Sequence, residues 1–147
     1  MIGTVTLLLV AATFLAIGWV GLTMPAMLLE PLGIELRSAT AMNEARANYG
    51  GMHFAMGLLF LAGALSGKVR GIALTVALVF LSGLVVGRGV SVALDGFPEE
   101  LTPWILLGAE ILGLMLLMGA LLKRRRVMKA LTRAKAEPAA ETAAPAA

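Results

Sequence analysis

Four long apolar stretches, joined by short polar links, leave a chain like this few ways to fold. They run from Ile2 to Leu22, from about Asn43 to Leu65, from Gly71 to Leu94 and from Pro103 to Leu122. Each is near the roughly 20 residues of helix that cross the hydrocarbon core of a bilayer. The first carries no charge at all. It lacks the basic start of a secretory signal and has no convincing small-residue cleavage site after it, so it reads as a retained span. The fourth opens with Thr102-Pro103, a hydroxyl suited to capping followed by a residue with no amide hydrogen to leave unpaired. The expected fold is therefore all-α: a polytopic integral membrane protein with four transmembrane helices in a bundle. Composition agrees, since 59% of the 147 residues are hydrophobic and only 14% charged, against about half and a quarter in soluble domains.

Lysine and arginine in the short loops give the direction of threading. The turn between the second and third stretches holds Lys68 and Arg70, and the fourth is followed by Lys123, Arg124, Arg125, Arg126, Lys129, Arg133 and Lys135. These nine of the twelve basic residues fall on one side. Glu30, Glu35, Asp95, Glu99 and Glu100 fall on the other, with Arg37 as the clear extramembrane cation there. Both termini are expected to be cytoplasmic, which places Trp19 and Trp104 near the outer interface, where amphipathic indoles are favoured.

Residues 1–122 thus read as the transmembrane domain. Residues 123–147 read as a basic juxtamembrane segment followed by a disordered alanine- and proline-rich cytoplasmic tail. The basic segment is expected to rest as a helix on anionic lipid headgroups and to fix orientation, which accounts for the net charge of +3 without nucleic acid. "GLLFLAGAL" (57–65) echoes "GLMLLMGAL" (113–121), an echo that two hairpins from an old duplication would give, and that composition rich in leucine and glycine gives more readily. With no cysteine and a single histidine, disulfides, thiolate chemistry and His-rich zinc patterns are excluded, and no metal or cofactor is expected.

The ionisable residues near the spans are the functional signal. Inserting an ion at the bilayer centre costs about 2.5 to 3.5 kcal/mol even on lenient scales, so each needs a partner, water or a shallow position. His53 lies about 15 Å below Asn43 along a helix, Arg88 about 10 Å below Asp95, and Glu110 about 9 Å below Trp104. All fall in the outer half, and the inner halves are almost purely apolar. Arg46, Gly50, His53 and Gly57 share one helical face, Arg88, Ser91 and Asp95 another, and Glu44, Asn48 and Gly51 a further strip. Gly83, Gly87 and Ser91 form a small-residue stripe expected to seat a neighbouring helix. Gly50-Gly51 is expected to pack closely and to bend or open the second helix.

Arg46 and Arg88 are expected to pair with two of Glu44, Asp95 and Glu110. The third carboxylate would take a proton or face His53, and Glu110, beside Leu107, Ile111 and Leu114, is the candidate for the proton. Tyr49 reads as an interfacial anchor, and Met24, Met27, Met52 and Met56 as packing residues. Taken singly, each polar residue is explained by helix pairing. Taken together, Glu44, Arg46, Asn48, Tyr49, His53, Arg88, Ser91, Asp95 and Glu110 suggest an outward-facing polar pocket.

"NEARANYGGMHFAMGLLFL", then "GRGVSVALDGFP" and a late "GAEILG", resemble a bacterial membrane family, domain of unknown function 4345. Its hallmark, N-E-x-R-x-x-Y-G-G followed by G-R and D-G-x-P, falls here on Asn43, Glu44, Arg46, Tyr49, Gly50 and Gly51, then Gly87, Arg88, Asp95, Gly96 and Pro98. The resemblance covers about residues 5–122. It implies a small four-span protein of a bacterial inner membrane, and it implies no activity.

Three functions compete. The first is a binding or accessory protein holding a small polar ligand or lipid headgroup, or docking a membrane partner or a second copy of itself, with Arg46 and Arg88 as anion-binding forks. The second is an enzyme using His53 or Glu110 as acid or base on a lipid or quinone-like substrate. The third is a proton-coupled carrier, which the apolar inner halves disfavour.

Overall fold

The computed structural model describes residues 2–141, with side chains described through Ala134. Helix α1 (Ile2–Thr23) ends where Pro25 opens a short α2 (Pro25–Leu29). A single 3-10 turn carries the chain to Gly33, whose φ of 73° lies in the left-handed region that suits glycine. Ser38 then caps α3 (Ala39–Ala45), its hydroxyl accepting from the Ala41 amide at 3.0 Å. A π-helical turn over Arg46–Gly51 leads into α4 (Met52–Leu65). After a tight turn, α5 (Arg70–Asp95) runs to Gly96, at φ 91°, and α6 (Thr102–Glu141) closes the described chain. Among the described residues there is no β-strand.

Three helices, not the expected four, are long and apolar enough by themselves to cross a membrane: Ile2–Thr23, Arg70–Asp95 and Thr102–Ala134. The stretch expected to form the second span is divided. Its α-helical part below the π turn has 14 residues, about 21 Å of helix against a hydrocarbon core of about 30 Å. The Gly50-Gly51 pair accounts for the division: two glycines weaken the α-helical ladder, and the polar residues before them supply no apolar face to hold it. The fourth stretch begins one residue earlier than the capping pattern suggests. Leu101 offers the first carbonyl, accepting from the Ile105 amide at 3.1 Å, and Pro103 sits inside the first turn. The basic segment is a direct continuation of α6, and the helix reaches Glu141, past the point where the tail was expected to lose structure. Alanine and glutamate, strong helix formers, supply much of that extension. Residues 142–147 lie outside the described residues.

One core joins four helices: Leu7, Ala11 and Phe14 of α1, Phe60 and Ala64 of α4, Ala73, Leu74, Ala77 and Leu81 of α5, and Leu117 and Ala120 of α6. The outer surface is apolar too, with Leu9, Ile72, Val79, Val86, Ile105 and Met115 all exposed. Water would penalise a belt of that extent, whereas lipid does not, and the chain is a membrane protein in this sense.

Helix α1 meets the π turn and α4 most closely through glycine. A Cβ on Gly21 would stand 2.6 Å from the Tyr49 carbonyl carbon, and one on Gly50 would stand 2.8 Å from the Leu22 amide nitrogen. Backbone thus lies on backbone, the arrangement that small residues permit between membrane helices. Gly57 repeats the contact one level down, against Leu15. The stripe expected on α5 does not do this. A Cβ on Gly83 or Gly87 would meet nothing within 4 Å, and one on Gly51 would meet only the Arg46 carbonyl of its own helix, at 3.8 Å. Those glycines sit on the wrong side of their helices to seat a neighbour.

Two arginines close helix ends. Arg70 donates to the Gly63 and Ala64 carbonyls at 3.1 and 2.8 Å, and Arg46 donates through Nε to the Leu22 carbonyl at 3.1 Å. Each guanidinium satisfies last-turn carbonyls that have no partner within their own helix, at the negative end of the helix dipole.

Candidate functional site

The site begins with the π turn. In it the Met52 amide donates five residues back, to the Ala47 carbonyl. Where such a turn returns to the four-residue ladder, one carbonyl is passed over and needs another donor. The next carbonyl in line, that of Asn48, lies 3.0 Å from Nδ1 of His53. A carbonyl can only accept, so Nδ1 carries the proton and Nε2 is left as the imidazole's unused polar atom. The ring is further held by aromatic neighbours. It stacks on Phe14 of α1 (centroids 5.4 Å apart, 25° between planes) and on Tyr49 (6.2 Å, 10°), and meets the edge of Phe80 of α5 at 5.8 Å. Phe14 in turn makes edge contacts with Phe60 and Phe80, which tie the histidine to the core.

Across from it, Arg88 of α5 and Glu110 of α6 form a forked pair. Nε donates to Oε2 and Nη2 to Oε1, each at 2.8 Å. The Glu110 side chain is 9% exposed and that of Arg88 29%. Both carboxylate oxygens accept from one planar guanidinium, the geometry of a strong charge pair rather than of the lone neutral acid expected at Glu110. The pairing rule expected from the sequence also changes. Arg46 is on the Leu22 carbonyl and takes no carboxylate. Glu44 is held by its own helix, where Asn48 Nδ2 donates to its carbonyl and to Oε2 at 3.0 and 3.1 Å. Asp95 accepts from the Ser91 hydroxyl at 3.1 Å. Both acids are exposed, and a solvated carboxylate needs no cation beside it.

Tyr49, His53, Arg88 and Glu110 therefore line one cavity, of about 410 Å³, between α1, α5 and α6. The rest of its wall is mostly apolar, including Leu9, Val10, Ile17, Leu84 and Leu106. Glu44, Arg46, Asn48, Ser91 and Asp95 do not line it; they decorate helix ends around it. Gly50 backs the site against α1, and Gly51, Gly83 and Gly87 take no part. Thr6, Thr13 and Gly113 also line the cavity and were not singled out from the sequence, because a threonine whose hydroxyl bonds four residues back looks like any other helix position. Gly18 and Gly21, which set the helix separation beside the site, were missed as well; their signal is a three-residue glycine spacing in an otherwise bulky, uncharged span.

Among the described residues no group of His, Cys, Asp and Glu stands close enough together to hold a metal. The polar groups that reach the cavity are one imidazole, one phenol, and a guanidinium whose direction is set by its carboxylate; the rest of the wall is mostly apolar.

Neither the curated proteins nor the solved structures contain a match to this chain. The family described as Domain of unknown function (DUF4345) matches residues 2–121, a span that holds the Gly21–Gly50 contact, the π turn and the Arg88–Glu110 pair, and the chain belongs to that family.

Proposed function

We propose that this protein binds an amphiphile, a lipid-like or quinone-like molecule, in the cavity between α1, α5 and α6. The supporting observation is the distribution of polarity along that cavity. Its wall reaches from Thr6 and Leu116 to Leu28 and Leu32, and its ionisable residues are Tyr49, His53, Arg88 and Glu110. From Phe14, which stacks on His53, down to Thr6 is about 12 Å of helix, enough for a short acyl or isoprenoid body below a polar head. A volume of about 410 Å³ falls within the range of small-molecule sites. A purely polar ligand would leave most of the wall unmatched, and the Arg88 fork is already engaged by Glu110. The head is then recognised by His53 Nε2 and the Tyr49 hydroxyl, beside the fixed charge pair.

In this reading α3, the π turn and α4 together make the fourth crossing element of a four-helix bundle. The nine basic residues hold the Lys68 turn and both termini on the cytoplasmic side of a bacterial inner membrane. An enzymatic role would run through His53, because both Glu110 oxygens are occupied. A proton-coupled carrier is disfavoured, since the inner halves of the apolar stretches carry no ionisable residue to continue a path inward from Arg88 and Glu110.

Purification in mild detergent followed by mass spectrometry of extracted apolar compounds tests the proposal. One amphiphile should co-purify with the wild type and be lost from Ala109→Trp, which fills the cavity and keeps the charge pair. Equal recovery of the same compounds from both proteins would defeat it.

A further inference from the structure

A second groove, of about 460 Å³, lies at the opposite, basic end of the molecule between the start of α5 and the part of α6 just past Leu121. Its floor includes Ile72, Val76 and Leu121, and its rim carries Lys68, Arg124 and Arg125. No acidic residue lines it, and among the described residues none of these three cations has a carboxylate partner. Arg70, the nearest cation in sequence, is committed to the Gly63 and Ala64 carbonyls and does not join the rim. Arg124 of α6 reaches across to Gly71: a Cβ there would stand 2.6 Å from its Nη1, so the guanidinium lies over bare backbone.

We infer that this groove seats the headgroup of an anionic phospholipid, its phosphate between Lys68, Arg124 and Arg125 and its first acyl carbons on Ile72, Val76 and Leu121. The position decides for a bilayer lipid over a soluble anion. The apolar runs of α5 and α6 meet their first charges at this level, where headgroup phosphates lie. Basic pockets between membrane helices are suited to such headgroups. The site is separate from the cavity near His53, and neither depends on the other.

The test uses the full chain, delipidated in a neutral detergent, with thermal unfolding followed as phosphatidylglycerol or phosphatidylcholine is added in mixed micelles. Phosphatidylglycerol should raise the midpoint saturably, and phosphatidylcholine should not. Apparent affinity for phosphatidylglycerol should weaken about fivefold for each cation removed, in Lys68→Gln and in Arg124→Gln/Arg125→Gln. Arg126→Gln/Lys129→Gln removes as much charge from α6 outside the groove and should bind as the wild type does. Lys68→Gln alters only an exposed turn, so it reads the site even if the α6 variant does not fold. Equal loss in the control variant would replace the site with a diffuse basic surface. Equal stabilisation by phosphatidylcholine, or by inorganic phosphate alone, would likewise overturn it.

Discussion

Arg88 on α5 and Glu110 on α6 hold each other through two parallel hydrogen bonds of 2.8 Å, with the carboxylate almost out of contact with solvent. Fork-to-fork pairing fixes direction as well as distance, so it sets the rotation of one helix against the other. It also turns a polar side chain towards the cavity without leaving an unpaired buried charge. Removing one partner alone should therefore be much worse than removing both. Arg88→Leu, which strands Glu110, should destabilise by about 3 kcal/mol, while Arg88→Leu/Glu110→Leu should return to within about 1 kcal/mol of wild type. Denaturant unfolding in micelles measures both; equal losses would mean that the pair is not coupled.

The Asn48 carbonyl dictates the tautomer of His53. With the proton on Nδ1, nitrogen NMR of histidine-labelled protein should show the neutral ring with Nδ1 protonated and Nε2 as the lone-pair nitrogen. A dominant Nε2–H form would show that the π turn does not hold the ring as described.

Glycines in the same chain should respond in opposite ways to a side chain. Gly21→Val and Gly50→Val force atoms into the backbone of the facing segment and should cost about 1 to 3 kcal/mol or more. Gly83→Ala and Gly87→Ala enter open space and should be neutral or stabilise by up to about 1 kcal/mol through helix propensity. Similar losses at all four positions would place a helix against the stripe on α5.

Topology can be read by cysteine labelling, since the chain has no cysteine of its own. Gly67→Cys and Thr132→Cys should react with a membrane-impermeant reagent from one side of the membrane, the cytoplasmic one, and Phe97→Cys from the other. If Gly67→Cys and Phe97→Cys label from the same face, α5 does not cross.

Apolar length and the rarity of ions are properties of the chain taken residue by residue. They suffice to make the protein helical, to send Ile2–Thr23, most of Arg70–Asp95 and the part of α6 before Lys123 towards hydrocarbon, and to mark His53, Arg88 and Glu110 as residues that need partners. Partnership is not additive in that way. Whether Arg88 meets Glu110 or Asp95 depends on how far α5 and α6 are rotated about their axes. Spacing within one helix says nothing about that rotation. The same holds for glycine: Gly21 and Gly87 look alike in sequence, and only tertiary packing presses the first against the π turn and leaves the second in the open. The π turn belongs to the same class. Gly50-Gly51 signals a weak point, but the wider ladder forms because Gly50 is pressed against Leu22 and His53 reaches the Asn48 carbonyl. Hydropathy acts through the solvent around each residue and is legible locally; pairing acts through shape and direction across helices, which tertiary packing alone supplies.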